Sequence, residues 1–395
     1  MRTSLMPTST FDLAAARARL DDVLARHRSL WACNPFREPN PAWLTERPDL
    51  AAAVAGLDEA QLDHLEQDSD ALLQLLQPLL PDVVATIEAS EPPPAAGRLA
   101  CDRFAGRHVP GRKWQQIRQF VAALPVRSSL AIDWCAGKGH LGRTVAEAHG
   151  RPVRCLERDP RLCAAGTRLA GALPVSFQRC DVLSDEPELD PSAIVMALHA
   201  CGALHEQLLE RVVDSKVAGI ALAPCCYHLT PAWKPLSAAG SRLAFDNDSL
   251  HLAVQDTVTA PASVRRARLR ERAYRSGYDA LQRKLRGVDS YLAQPSLRGA
   301  DRRLDFADFC TRLARHHGLE LPPARELEHW LRVGWQRDGR SRRLELVRQA
   351  FRRLLELRIV LDRAEALEAA GYAVTLWRFC PRPVTPRNLL LMATR

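Results

Sequence analysis

Ser129-Leu-Ala-Ile-Asp-Trp-Cys-Ala-Gly-Lys-Gly-His-Leu-Gly142 is an apolar, strand-like run that passes into a turn with glycines at 137, 139 and 142. Glycine lets a backbone approach a ligand closely and enter a helix whose first N–H groups have no partner in the helix, so the turn reads as the cradle of a nucleoside cofactor. Gly137-Lys-Gly-His-Leu-Gly142 matches the dinucleotide pattern G-x-G-x-x-G, in which the helix start holds a pyrophosphate. Asp133 argues for another ligand. A carboxylate at the strand end repels a diphosphate and attracts a cation. S-adenosylmethionine carries an ammonium and a sulfonium, and its carboxylate suits the N–H groups of a helix start.

The stretches that follow repeat the alternation of strand and helix. Pro152-Val-Arg-Cys-Leu-Glu157 is a short strand ending in an acid 18 residues after Gly139, where a second strand offers a carboxylate to ribose hydroxyls. Val175-Ser-Phe-Gln-Arg-Cys-Asp181 is a third strand, ending in an acid placed to accept from an adenine amino group. Two more apolar runs, Ala193-Ile-Val-Met-Ala-Leu-His199 and Val217-Ala-Gly-Ile-Ala-Leu-Ala223, flank a helical pattern from Leu204 to Val213. Strands alternating with helices imply a parallel sheet. Tyr372–Phe379, a Pro-rich turn and Asn388–Met392 read as a terminal hairpin with an antiparallel last strand, a feature of methyltransferase sheets more than of nicotinamide-binding ones. The expected cofactor contacts are Asp133, Cys135, Gly137, Gly139, Glu157, Arg158, Asp181, Val182 and His199.

Four motifs carry a family resemblance: Asp133-Trp-Cys-Ala-Gly-Lys-Gly-His-Leu-Gly142, Leu198-His-Ala-Cys-Gly202, Pro224-Cys-Cys-Tyr-His228 and Thr385-Pro-Arg-Asn388. They resemble the methyltransferase-domain family that includes eukaryotic methyltransferase-like proteins and the glutathione S-transferase C-terminal-domain-containing protein. More distantly, the His-x-Cys-Gly and Cys-Cys-x-His elements are similar to those of the tRNA 2′-O-methyltransferase acting on the acceptor stem. The resemblance covers about 101–260 and 360–395 and implies a Rossmann-like class I methyltransferase fold that uses S-adenosylmethionine. Cys135 departs from the pattern, standing where the family turn has its first glycine. The position needs a small residue, which Cys135 supplies.

The remaining chain reads as helical additions to this α/β core. Residues 1–100 carry 8 basic and 15 acidic side chains, whereas residues 261–360 carry 24 basic and 12 acidic. Glu91-Pro-Pro-Pro-Ala-Ala-Gly97 reads as a linker. The expected division is an acidic helical domain at 1–97, the first part of the methyltransferase domain at 101–260, a basic helical insertion at 261–360 opened by Pro261, and the last helix and hairpin at 361–395. Helical periodicity runs through Leu269–Leu285 and Leu344–Leu361. Fifty of the 55 basic residues are arginines, a bias that coding composition alone can produce. No stretch approaches a membrane span and residues 1–20 lack a secretory apolar core, so a cytoplasmic location is expected. The 11 cysteines at irregular spacing then read as reduced thiols.

Ligands of an open parallel sheet bind outside the carboxyl ends of its strands, where the unusual residues of this chain collect. His199 and Cys201 follow the fourth strand, Cys225, Cys226, Tyr227 and His228 the fifth, and Cys380–Arg387 joins the sixth to the last. These six His, Cys and Tyr residues are the candidate catalytic group. A shaped pocket in which Tyr227 or His228 positions the acceptor is one reading, with His228 expected beside the chemical step. Attack by Cys225 or Cys226 on a pyrimidine ring is a second, but the Asp-Ala-Pro-Cys pattern of such enzymes is absent. Zinc on His199, Cys201, Cys225 or Cys226, and His228 is a third. Adjacent cysteines do not readily turn both thiolates to one ion, so no metal is expected. The Asn/Asp-Pro-Pro-Tyr/Phe motif of exocyclic-amine methyltransferases is also absent.

Gly111-Arg-Lys-Trp-Gln-Gln-Ile117 reads equally as a segment over the cofactor or as an amphipathic helix packed on the sheet. Trp330 and Trp335, interleaved with Arg332 and Arg337, read as core or as stacking platforms. Arg265-Arg-Ala-Arg-Leu-Arg-Glu-Arg272 reads as a solvated helix face or as a phosphate contact. RNA, as tRNA or rRNA, is the expected acceptor. A small molecule or a protein is the enzymatic alternative, and a non-catalytic cofactor-binding scaffold stands outside enzymology.

Overall fold

The computed structural model describes residues 11–97, 106, 109–124, 130–237, 243–255, 262–296 and 303–395. Ser129, Pro261 and the expected boundary at 101 lie outside them. The chain divides into two compact units, one formed by residues 1–26, 85–256 and 352–395, the other by residues 27–84 and 257–351.

The first unit is built on a seven-stranded sheet of β1 (Leu130–Trp134), β2 (Val153–Glu157), β3 (Val175–Arg179), β4 (Ala193–Cys201), β5 (Gly219–Cys225), β6 (Ala373–Arg378) and β7 (Leu389–Thr394). Its order is β3-β2-β1-β4-β5-β7-β6. The first five strands pair in parallel, and β7 is antiparallel to both β5 and β6. This is the Rossmann-like class I methyltransferase fold. Buried on both faces, β4 and β5 are nearly continuous apolar runs, as central parallel strands should be. The order reverses between β1 and β4, and a sheet of this kind opens its ligand crevice at that switch point.

Helices Gly111–Ala123, His140–His149, Pro160–Ala170 and Ala203–Ser215 accompany these strands. Ile117, Phe120 and Val121 of the first pack into the core with Leu141, Val145 and Ile194. Helix Leu13–Arg26 also belongs to this unit: Arg358 donates to Asp21 at 2.6 Å and Arg17 to Glu365 at 2.7 Å. The segment read as a linker pairs with the β6 edge. Pro93 O accepts from Arg378 N at 2.9 Å and Ala95 N donates to Arg378 O at 2.8 Å. Prolines lack N–H donors but keep their carbonyls, which is what an edge strand's donors require.

In the second unit, the long helices Ala262–Arg286 and Ala324–Gln349 pack with Phe306–His317 around Tyr278, Phe309, Leu313 and Leu327. Gly277 and Gly334 bring the two long backbones together, since a Cβ on Gly334 would lie 2.4 Å from Ala273 O. Arg342, almost wholly buried, donates to Glu59 and Glu66 at 2.9 Å and also to Asp63. Residues from the acidic N-terminal region and from the basic insertion therefore form one body. The periodicity of Leu344–Leu361 belongs to two helices, and the second, Arg352–Ala369, lies in the sheet-bearing unit. These units differ from the division drawn by composition at 97, 261 and 360, because charge bias does not report which segments pack together. No described helix is long and apolar enough to cross a membrane.

Candidate active site

At the carboxyl ends of the parallel strands lies a cavity of about 380 Å³. Every strand from β1 to β5 sends residues to it: Cys135 after β1, Glu157 and Arg158 at β2, Cys180 to Leu183 after β3, Cys201, Ala203 and Leu204 at β4, and Leu229 beyond β5. Of the cofactor contacts expected from sequence, Cys135, Glu157, Arg158, Asp181 and Val182 line the cavity. The apolar wall of Leu156, Leu183, Leu204 and Leu229 was not anticipated. Isolated leucines carry no sequence signal that separates a ligand wall from ordinary core.

Glu157 organises the glycine turn. One carboxylate oxygen accepts from Gly137 N at 2.9 Å and the other from Asp159 N at 2.9 Å. Each oxygen keeps a second acceptor site for a ligand hydroxyl. Gly137 has φ +59°, and a Cβ there would meet nothing within 4 Å, so the turn leaves room on that side. Cys135 is itself in the left-handed region at φ +58°, which explains why related turns place glycine there. Asp181 accepts from Leu183 N at 3.2 Å and stands 3.8 Å from the Arg158 guanidinium.

The role expected for Asp133 needs correction. It is buried in β1 and absent from the cavity wall, and it accepts from Gly142 N at 2.9 Å. Burial pushes its carboxyl up to about 7. Asp133 therefore ties helix His140–His149 to the sheet. The Gly137 N–H, which a pyrophosphate at this turn would need, is already taken by the Glu157 carboxylate.

At the ends of β4 and β5 the chain is bent by a register shift between Leu198 and Ala200 and by left-handed residues at His199 (φ +62°) and Cys226 (φ +47°). The His199 Nε2–H donates to Gln116 Oε1 at 3.0 Å, and burial lowers the imidazole to about 4, so the ring is neutral. Gln116 also donates to Val384 O at 3.2 Å. The helix Gly111–Ala123 packs on the sheet through Ile117, one of the two readings of its sequence, and reaches His199 through Gln116.

Cys201 Sγ lies 3.2 Å from Cys225 Sγ, and the sulfurs of Cys201, Cys225 and Cys226 all fall within 4.8 Å of one another. Cys226 is drawn toward the thiolate because Cys201 and Cys225 direct hydrogen bonds to it, while the Cys225 thiol is pushed up. His228 stacks on His251 with ring centroids 4.0 Å apart, and its Nδ1 is buried without a hydrogen bond. Tyr227 is placed differently from expectation: its ring is buried edge-on against His205, 5.9 Å between centroids. In the loop before β7, Asn388 donates to Cys380 O at 2.9 Å, so Thr385–Asn388 shapes the hairpin beside the site.

The open α/β sheet thus carries, at its switch point, a cavity of about 380 Å³ lined from five consecutive parallel strands. Residues 112–232 match the sequence model of a family described as a methyltransferase domain. Among solved structures, the chain is similar to human N-acetylserotonin methyltransferase in complex with S-adenosylmethionine, at 16% identity and TM-score 0.24 over 44% of this chain and 47% of that one. It is similar to a sugar N-methyltransferase from Streptoalloteichus, at 16% identity and TM-score 0.22 over 33% of this chain and 57% of that one. A third match, described as a possible exported protein from Bordetella parapertussis, has 13% identity and TM-score 0.29 over 99% of both chains. The chain spans about half the length of the first two. At these scores the fold assignment rests on the strand order itself.

Proposed function

We propose that this protein transfers a methyl group from S-adenosylmethionine to an acceptor at the carboxyl ends of β4 and β5. The observation that carries the reading is the cavity closed by Glu157 on the Gly137 turn. The cofactor fits it on three counts: the carboxylate oxygens retain acceptor sites for ribose hydroxyls, the leucine wall suits an adenine ring, and Gly137 leaves one side of the turn open. When bound, S-adenosylmethionine supplies an electrophilic methyl on a sulfonium. The chain's own part is alignment. Glu157 and Asp181 fix one end of the ligand, and His199, held by Gln116, and His228, stacked on His251, stand at the strand ends where an acceptor is oriented.

For the acceptor we retain RNA, with a smaller footprint than the sequence suggested. Arg272 pairs with Asp338, Arg283 and Arg337 with Asp279, and Arg342 with Glu59 and Glu66. Residues 27–84 carry 3 basic and 10 acidic side chains, and residues 257–351 carry 21 and 11, which leaves this unit a net +3. Trp330 packs on the helical core, whereas Trp335 is 47% exposed. What supports RNA is the exposed start of helix Ala262–Arg286, with Arg266 and Arg268 facing solvent. Methyl label from S-adenosylmethionine should enter total tRNA or rRNA, and log affinity should fall with log salt. Arg266→Gln with Arg268→Gln should flatten that slope by about 1.4, at about 0.7 for each phosphate no longer neutralised. Label confined to small molecules or protein, with salt-independent RNA binding, would instead support the other acceptors.

A further inference from the structure

The thiol cluster at the ends of β4 and β5 does more than shape a pocket. We propose that Cys201, Cys225 and Cys226 bind one zinc ion through three thiolates, with the fourth position open to water or to an acceptor atom. Tetrahedral zinc with Zn–S bonds of about 2.3 Å sets its sulfurs about 3.8 Å apart, a spacing that fits three sulfurs lying within 4.8 Å of one another. Among the described residues no imidazole or carboxylate atom joins the three within that distance, so the donor set stops at three. Three protein ligands and one open position is the arrangement of catalytic zinc sites.

The adjacency of Cys225 and Cys226 was the objection to a metal here, and the backbone removes it. Cys226 sits at φ +47°, a conformation that strains a non-glycine residue, and this bend turns its sulfur to the same side as that of Cys225. The opposite strand is bent as well, by the shift between Leu198 and Ala200, and it delivers Cys201 Sγ to within 3.2 Å of Cys225 Sγ. Two strand ends are thus held in strained geometry around one point. Three further backbone bonds fix the loops: Gly202 N to Cys225 O at 3.1 Å, Leu229 N to Cys226 O at 2.8 Å, and Ala203 N to Leu229 O at 3.1 Å. Cys225 is buried and the other two are partly buried. Soft thiolate donors in a closed triangle select zinc over magnesium or calcium. Because Cys201 also lines the cofactor cavity, the open position adjoins the space where an acceptor would be held.

The proposal concerns metal binding and stands apart from the choice of acceptor. The test is elemental analysis of the untagged full chain, purified in reductant without chelator, incubated with zinc chloride and passed through gel filtration. About one zinc per chain is expected, with at least about tenfold less retained by Cys201→Ser and by Cys226→Ser. Cys33→Ser and Cys163→Ser, outside the cluster, should retain it fully. Cobalt in place of zinc should give the sulfur-to-metal charge-transfer absorption of a thiolate site. Wild-type protein that keeps its circular-dichroism spectrum and retains no zinc would overturn the proposal. So would equal loss in the control variants, copper or iron at stoichiometric level in place of zinc, or a Cys201–Cys225 disulfide in freshly reduced protein.

Discussion

Gly202→Ala should lower the stability of the sheet-bearing unit by about 2–5 kcal/mol and weaken cofactor binding with it. The residue lies at φ +49° and ψ −124°, a backbone region that is essentially glycine's alone, and it caps helix Ala203–Ser215. A Cβ there would lie 2.1 Å from Leu229 O and 2.3 Å from Leu229 C. That carbonyl cannot retreat without losing its bond from Ala203 N. Backbone strain of about 1–2 kcal/mol adds to overpacking of about 1–3 kcal/mol. Cys201, Ala203 and Leu229 all line the cavity, so separation of the two strand ends opens its wall. Gly150→Ala is the control. It also sits in the left-handed region, but a Cβ there meets nothing within 4 Å, so only the strain of about 1–2 kcal/mol applies. Equal losses for the two variants in chemical denaturation would show that the close approach at Leu229 does not matter.

The second large effect is a pH dependence centred on Asp133. Its carboxyl is pushed up to about 7 by burial, against about 4 in an unfolded chain. Between these values the folded protein holds a proton that the unfolded chain has released. The stability due to this group is therefore complete below about pH 4, is lost as pH rises toward 7 and stays flat above. Asp133→Asn keeps an acceptor for Gly142 N and does not titrate. Its stability relative to wild type should rise between pH 5 and pH 8, on the order of 2–4 kcal/mol. Denaturation curves that run parallel for the two proteins at both pH values would contradict this account of Asp133.

Much of the fold could be read from residue pattern. Apolar runs ending in Glu157 and Cys180-Asp181 gave the parallel order, and Tyr372–Phe379 with Asn388–Met392 gave the antiparallel hairpin, because strand period and turn residues are local properties. What was hidden depended on contacts between distant segments. Pro92 and Pro93 look like a linker until the β6 edge uses their carbonyls. Arg342 looks like part of a nucleic-acid surface until Glu59 and Glu66 meet it. At the site, Glu157 at the end of β2 lines the cavity, whereas Asp133 and Tyr227 turn inward. A strand alternates its faces, so one residue of register decides whether a side chain meets ligand or core. The convergence of Cys201, Cys225 and Cys226 depended on positive φ at Cys226, which no sequence pattern announces for a cysteine.

The most direct test of the account is calorimetric titration of the full chain with S-adenosylmethionine, S-adenosylhomocysteine and NAD, alongside Glu157→Ala. Both adenosyl ligands should bind with one site per chain and NAD should give no heat, since Glu157 occupies the turn a diphosphate needs. In Glu157→Ala the adenosyl ligands should lose about 1.5–3 kcal/mol, the cost of a charge-assisted hydrogen bond. Binding of NAD in preference to S-adenosylmethionine, or an affinity indifferent to Glu157, would contradict the assignment of this cavity as the methyl-donor site.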